Sequence, residues 1–191
     1  MKKILLSSWL VILVVLSVSF TKGSLRQQYA RPADEWPAPW TDSGVNWTEL
    51  GLMPAAPVDL DNEAVKYQVE LGKALFFDPR LSSSGKISCA TCHDPALNWT
   101  DGKPRSVGHE GAMGKRNAPT IQNSWFYKKL FWDGRARDLA DQAFAPIVSE
   151  AEMNSEMPEV MYKLRKIEGY RELFKKAFGS DHINPDRMTE A

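Results

Sequence analysis

The residues with the clearest chemistry are two cysteines and a histidine that stand within five consecutive positions. Cys89 and Cys92 are the only cysteines in the 191 residues, and His93 follows directly. On one turn of helix this spacing places two thiols where they can add to the two vinyl groups of a haem. The histidine then lies beneath the iron as an axial ligand. The pattern therefore predicts covalent attachment of one haem c.

Other uses of these cysteines fit the sequence less well. A zinc site needs further ligands at finger-like spacing, yet there is no third cysteine, and His109 and His182 are distant in the sequence. A redox-active dithiol of the thioredoxin type would need a strand-helix-strand context, which is missing. Two cysteines three positions apart also exclude a scaffold built on several disulfides. Haem attachment is the interpretation that the residues favour.

The composition is that of one globular domain with some additional chain. Hydrophobic residues make up 43% of the sequence and charged residues 25%. Lysine plus arginine equal aspartate plus glutamate at 24 each, and no basic run is present. The chain therefore has no positive field that would attract DNA or RNA, and we expect no nucleic-acid partner.

Residues 1–23 have the composition of a targeting segment. Lys2 and Lys3 precede an almost unbroken apolar run from Ile4 to Phe20, and residues 17–19 offer small side chains to a signal peptidase. The alternative is an uncleaved inner-membrane anchor, because about 17 apolar residues are the lower limit for a span. Both interpretations predict export, and haem attachment of this type takes place outside the cytoplasm. We expect a periplasmic protein.

Residues 24–57 are rich in proline and tryptophan. They hold five of the twelve prolines and three of the seven tryptophans. Proline at this density disfavours long helices and favours extended backbone, so the segment predicts an aromatic strap. We expect its tryptophans to pack on the domain that follows rather than to bind a ligand.

Residues 58–184 show helical rather than alternating periodicity, which predicts an all-α domain. Capping residues and apolar spacing predict three helices, from Asp61 or Asn62 to about Phe77, from Asp138 to Ala145, and from Pro158 to about Ala177.

Two further segments carry local signals. Asp101–Ala118 contains four glycines, at positions 102, 108, 111 and 114, and predicts a long mobile loop without regular structure. Residues 184–186 have the sequence Asn-Pro-Asp, which is typical of a helix start, so residues 185–191 are expected to begin a helix.

Four motifs follow one another along the chain. They are LGKALFFDPRLS at 71–82, ISCATCHDP at 87–95, RNAPT at 116–120 and FWDGRA at 131–136. Together they resemble the amino-terminal haem domain of the bacterial di-haem cytochrome c peroxidases, over roughly residues 50–190. The resemblance implies a cytochrome c-like fold in which hydrogen peroxide reacts at this haem.

The same resemblance implies a second haem domain that receives electrons from a small donor, such as a c-type cytochrome or a cupredoxin. This chain holds no second CxxCH and ends just after a helix start. We therefore interpret it as a piece of a longer enzyme. A homodimer is a further expectation for the assembly.

The resemblance also suggests roles for two side chains. His109, in a Ser-Val-Gly-His context, matches the family's distal histidine, which ligates the iron in the resting state and moves away to open the peroxide site. Glu152 matches the acid-base glutamate, which takes a proton from one peroxide oxygen and returns it to the other. Glu150 is the competing carboxylate, and Glu152 is preferred because Met153 follows it. His182 has no matching context and is expected at the surface.

Four more residues match family positions. Gln142 and Phe131 match groups that line the peroxide pocket, although simple packing explains them equally well. Trp132 resembles the tryptophan between the two haems, a relay for electrons, with a buried structural role as the alternative. Asn117 resembles a ligand of a calcium ion at the domain junction.

Two other functions stay open from the sequence. One is a mono-haem electron carrier without peroxide chemistry. The other is an oxidase-like di-haem relative that acts on a protein substrate. The match at His109 favours the peroxidase over the oxidase-like relative.

Overall fold

A computed structural model describes residues 23–48 and 51–191, which form helices joined by long turns. The chain divides into two compact units, one ending at Pro54 and the other spanning Ala55–Ala191. Across the described ranges there is no strand, only three isolated antiparallel bridges. The all-α prediction is therefore confirmed.

The first unit contains little regular structure. Helix α1 covers Leu25–Tyr29 and is capped by Ser24, and a 3-10 turn follows at Ala33–Glu35. The indole of Trp36 donates a hydrogen bond of 2.9 Å to the carbonyl of Arg31 and lies edge-on to Tyr29. No helix within the described ranges is long and apolar enough to cross a membrane. The apolar run of the predicted signal or anchor lies outside these ranges.

The second unit holds the remaining helices and the core. Helix α2 begins after Asn62, whose side chain accepts a hydrogen bond from the Ala64 amide, and it ends just before Pro79, as predicted. In chain order the helices are α2 Glu63–Phe76, α3 Cys89–Cys92, α4 Leu139–Val148, α5 Met157–Arg165, α6 Glu168–Phe178 and α7 Pro185–Glu190.

The core forms where α2 packs against α6, and α5 and α7 close it. The most deeply buried large side chains are Leu71, Val160, Leu164, Phe174 and Ile183. Each such side chain stabilises the fold by about 1.5–3 kcal/mol. This core holds α2 in place, and the haem-binding motif follows α2 in the chain.

The prediction of a single helix from Pro158 to about Ala177 is wrong. The structure has two helices, α5 and α6, separated at Ile167, whose backbone is extended. Leu164, Ile167 and Tyr170 recur every three residues, so apolar spacing alone predicts one continuous helix across the break. The break lets α5 and α6 each turn their apolar side chains into the same core.

The loop predicted between Asp101 and Ala118 is more ordered than expected. The amide of Gly108 donates to the carbonyl of Ala112 at 2.8 Å, and that of Gly114 donates to the carbonyl of Ser106 at 2.8 Å. These bonds make residues 105–116 a hairpin, and a 3-10 turn at His109–Gly111 forms its tip. The glycines therefore support a folded turn, because Gly111 adopts a φ of +82° that other residues rarely adopt.

The helix start at residues 184–186 is confirmed. The side chain of Asn184 accepts a hydrogen bond of 2.9 Å from the Arg187 amide, and Pro185 occupies the first helical position of α7.

Candidate functional site

The two cysteines lie on the single turn of helix that forms α3. The amide of Ser88 donates to the hydroxyl of Thr91 at 3.0 Å, which closes the turn at its start. The amide of His93 donates to the carbonyl of Cys89 at 2.9 Å, so the histidine continues from the same turn. Both thiols are free and half-buried. This is the arrangement that the spacing predicts for thioether attachment.

The ring of His93 is held by a main-chain carbonyl. Its Nδ1 lies 3.1 Å from the carbonyl oxygen of Trp99. Because a carbonyl can only accept, Nδ1 must carry a proton, and in the neutral ring Nε2 then keeps its lone pair. The protein thus selects the tautomer that an axial iron ligand needs. Sequence reasoning missed Trp99, since nothing in its local pattern points to its carbonyl.

The thiols are poor candidates for thiolate chemistry. Burial raises the pKa of the Cys89 thiol to about 11. Burial also raises the pKa of Cys92, and the carboxylates of Asp101 and Glu152 add to the effect. Redox-active dithiols and metal-binding cysteines need lowered pKa values. The raised pKa values therefore argue against a redox-active dithiol, and they show that the charge of Glu152 acts on the Cys92 thiol.

The described residues fit a bound haem at this position. The two thiols share one turn, and the Nε2 of His93 is available as a ligand. Asp101, whose carboxylate acts on Cys92, is buried, and its Oδ2 has no hydrogen-bond partner among the described residues. Such an orphaned polar atom is what a bound group or an ordered water satisfies. Cys89, Cys92 and His93 would hold the cofactor.

The His109 loop is docked on the turn that carries Glu152. The amide of His109 donates to the carbonyl of Glu152 at 2.9 Å. Gly108 makes this approach possible, because a Cβ there would collide with the carbonyl oxygen of Ala151 and lie 2.9 Å from the Cα of Glu152. Two residues predicted to act together are therefore joined through their backbones, although 43 positions separate them.

The side chain of His109 is mostly buried but weakly held. Its Nδ1 lies 3.4 Å from the hydroxyl of Ser83, and its Nε2 lies 3.8 Å from a carboxylate oxygen of Glu110. The amide of Ser83 donates to the carbonyl of Met153 at 3.0 Å, so Ser83 contacts both the loop and the Glu152 turn. Ser83, Gly108 and His109 share a cavity of about 550 Å³. Sequence reasoning missed Ser83 and the packing role of Gly108.

Four other predicted site residues take no part in the hydrogen bond between His109 and Glu152. Phe131 is half-buried, has a φ of +61°, and lies under the Arg135 guanidinium at 3.6 Å. Trp132 is 66% exposed among the described residues. Gln142 is half-buried on α4, and Asn117 is exposed.

Nothing in the described residues tests a calcium site. In the described parts of the chain, no three acidic, cysteine or histidine side chains cluster to hold a metal ion. The role of Asn117 remains a prediction. His182 is exposed, as predicted.

Comparison with known proteins was made by sequence and by structure. A family model described as di-haem cytochrome c peroxidase matches residues 66–191. The methylamine utilization protein MauG of Methylophilus methylotrophus is 44% identical over 135 residues, which are 71% of this chain and 40% of that protein. The cytochrome c551 peroxidase of Nitrosomonas europaea is 43% identical over 152 residues, which are 78% of this chain and 46% of that protein.

Solved structures give the same picture. A MauG-like protein associated with microbial copper homeostasis superimposes with a TM-score of 0.61 and 29% identity, over 77% of this chain and 45% of that one. The diheme peroxidase BthA of Burkholderia thailandensis superimposes with a TM-score of 0.56 and 30% identity, over 64% of this chain and 35% of that one. The chain thus spans less than half the length of these relatives.

Proposed function

Because this chain belongs to the di-haem cytochrome c peroxidase family, we propose that it is the haem domain at which hydrogen peroxide is reduced to water. The observation that carries the proposal is the backbone hydrogen bond between His109 and Glu152, whose carboxylate also acts on the pKa of the haem-binding Cys92. It brings the predicted gate and the predicted acid-base group to one place.

The cofactor of this reaction would be a haem c held by Cys89 and Cys92, with His93 as a ligand of its iron. When bound, the haem iron supplies an electrophilic centre for peroxide and a store for electrons. The protein's part is to hold His93 in one tautomer through Trp99 and to control access from the other side. His109, at the tip of a hairpin, is the group that we assign to this control.

Glu152 moves the proton. Reduction of one peroxide to two waters consumes two electrons and two protons, and the oxygen that leaves must be protonated as the bond breaks. An exposed carboxylate can take a proton from one oxygen and return it to the other. Glu152 is exposed, and its main chain is held by the His109 amide. Gln142 and Phe131 would hold peroxide and exclude water.

Electrons would reach this haem from outside the domain. Trp132 stands two-thirds exposed at the surface of the unit, where a partner domain or protein can contact it. We assign it the relay from a second haem, which a c-type cytochrome or cupredoxin would reduce. Asn117 would contribute to a calcium site shared with that second domain, and the periplasm is the proposed location.

A second candidate function rests on the similarity to MauG, which is as close as that to the peroxidase. In this second function, the domain would be part of an oxidase-like enzyme that acts on a protein substrate. A residue at position 109 able to ligate the iron favours the peroxidase, whereas oxidation of a protein by the loaded enzyme would favour the alternative. A mono-haem electron carrier is the third option and would show no reaction with peroxide.

The test uses the haem-loaded chain with the gate removed. In a His109→Gly background, with ascorbate as the reductant, the rate of peroxide consumption is measured with and without Glu152→Gln. Proton transfer by a positioned carboxylate contributes about 10²- to 10⁴-fold, so Glu152→Gln should slow the reaction by that factor.

Glu150→Gln is the matched control. It removes the same charge two residues away and should leave the rate close to that of the parent. Equal rates for Glu152→Gln and Glu150→Gln would remove the catalytic role of Glu152. A His109→Gly chain that holds haem and ignores peroxide would support the electron carrier instead.

A further inference from the structure

Thr120 contacts the segment that follows the haem-binding turn. Its hydroxyl donates a hydrogen bond of 2.7 Å to the carbonyl oxygen of Asn98, 22 residues earlier in the chain. That distance is typical of a well-formed bond between a hydroxyl and an oxygen. The same hydroxyl accepts a bond of 3.2 Å from the Gln122 amide, so its orientation is defined from both sides.

The backbone that Thr120 holds is in a costly conformation. Asn98 has φ and ψ of 56° and 38°, and Trp99 has a φ of 61°. Two successive non-glycine residues in the left-handed region persist only where their surroundings hold them there. The amide of Trp99 also donates to the carbonyl of Asp94 at 2.8 Å. The indole lies edge-on to Phe76, with 5.8 Å between the ring centroids.

This conformation aims the Trp99 carbonyl at the axial histidine. The carbonyl oxygen of Trp99 lies 3.1 Å from Nδ1 of His93. The two carbonyls belong to adjacent peptide planes that meet at the Trp99 Cα, so a rotation that released Asn98 would also move the oxygen that His93 needs. Of the hydrogen bonds described for this turn, the Thr120 bond is the one that a side chain supplies from a distant part of the chain.

We propose that Thr120 is a positioning residue for His93: by holding the carbonyl of Asn98, it keeps the carbonyl of Trp99 on Nδ1 of the axial ligand. The proposal rests on the haem site of the proposed function and is independent of whether peroxide is the substrate.

The expected consequence is electronic. A hydrogen bond from Nδ1 to a carbonyl makes the imidazole a stronger donor to the metal, which favours the oxidised iron. Without the Thr120 hydroxyl this bond should lengthen, and the reduction potential of the haem should rise. The Nδ1 proton of His93 should also exchange faster with solvent.

The experiment measures the haem reduction potential and the exchange of that proton by NMR in the haem-loaded chain. The chain has only two cysteines, so a single covalent haem gives one potential. Thr120→Val, which keeps the shape and removes the hydroxyl, should raise the potential and speed exchange. Thr120→Ser, which keeps the hydroxyl, should restore both. Thr120→Ala also removes the hydroxyl and has a smaller side chain than valine. It replaces Thr120→Val in the comparison with wild type if the valine variant folds poorly.

Thr189→Val is the matched control, because the Thr189 hydroxyl bonds only within its own helix, to the carbonyls of Pro185 and Asp186. It should leave both readouts unchanged. Wild-type and Thr120→Val chains with equal potentials and equal exchange rates would overturn the proposal and leave the haem site intact. A wild-type chain whose haem is removed by acid-acetone would instead overturn the haem site itself.

Discussion

His93 and His109 are held by different kinds of contact, although both are assigned to the same iron. The Nδ1 of His93 has a hydrogen bond to a carbonyl six residues further along the chain. Among the described residues, the ring of His109 has a 3.4 Å contact to the exposed Ser83 and a 3.8 Å contact to Glu110. At the residue scale, this difference suits the proposed roles, in which His93 is the fixed ligand and His109 the one that leaves.

The first prediction concerns the His109 ring. If it ligates the iron, the ferric haem should be low-spin, and His109→Gly should convert it toward high-spin by removing one strong ligand. Absorption spectra of the ferric protein measure this. His182→Gly removes an exposed histidine and should change nothing. Identical spectra for wild type and His109→Gly would show that His109 is a surface loop residue.

At the scale of elements, the contact of interest joins the hairpin of residues 105–116 to the turn after α4. It consists of the bond from the His109 amide to the Glu152 carbonyl and the close approach of Gly108 to Ala151. The turn is also held by Ser83, whose amide donates to the carbonyl of Met153. Movement of the hairpin would break a bond to the Glu152 main chain, so the proposed function expects access and proton transfer to be coupled.

A second prediction follows for Gly108. In Gly108→Ala the added methyl group would collide with the carbonyl of Ala151, so the hairpin should undock and His109 should be released. The ferric spectrum should shift toward high-spin, as in His109→Gly, while the helical content stays unchanged. Gly169→Ala places the same group where it meets no neighbouring atom and should leave the spectrum as it is. A low-spin Gly108→Ala protein would mean that docking does not hold the ligand.

At the scale of the whole unit, a buried carboxylate links the end of α2 to α6. Asp78 is 5% exposed and accepts a 2.7 Å hydrogen bond from the Tyr170 hydroxyl as well as bonds from Arg80. Burial alone would raise the pKa of Asp78, but these bonds outweigh it and lower the pKa. Burial and the bond to Asp78 raise the pKa of Tyr170.

The third prediction concerns this link. Tyr170→Phe should lower the free energy of unfolding at pH 7 by about 1.5–3 kcal/mol, the typical contribution of a hydrogen bond to a charged group. Because the folded pKa of Tyr170 is raised, its stabilisation is full below the unfolded pKa of about 10 and declines above it. Urea unfolding at pH 7 and above pH 10 should therefore show the deficit shrinking.

Tyr162→Phe is the control for this change. Tyr162 is 58% exposed, and its ring lies beneath the Lys166 ammonium. The variant should unfold at nearly the wild-type urea concentration. A Tyr170→Phe protein as stable as wild type at pH 7 would mean that Arg80 alone satisfies Asp78.

The sequence by itself determined the features that depend on neighbours within a few positions. The spacing of Cys89, Cys92 and His93 predicts one helical turn, and the structure contains it. Asn62, Asp138 and Asn184 are capping residues by type, and each one begins a helix. Such features are local because a helical turn and its cap are formed by residues at most four positions apart.

Only the tertiary structure decided which distant groups meet at the site. The carbonyl of Asn98 meets the hydroxyl of Thr120, and the amide of His109 meets the carbonyl of Glu152. The break at Ile167 also depends on tertiary structure, because it is set by how the two helices pack into the core and not by the residues next to it in the sequence. Main-chain amides and carbonyls are the same in every residue, so no pattern of side-chain types reveals which of them will pair. Their pairing follows from how the helices pack, because packing sets which turns come within hydrogen-bond distance.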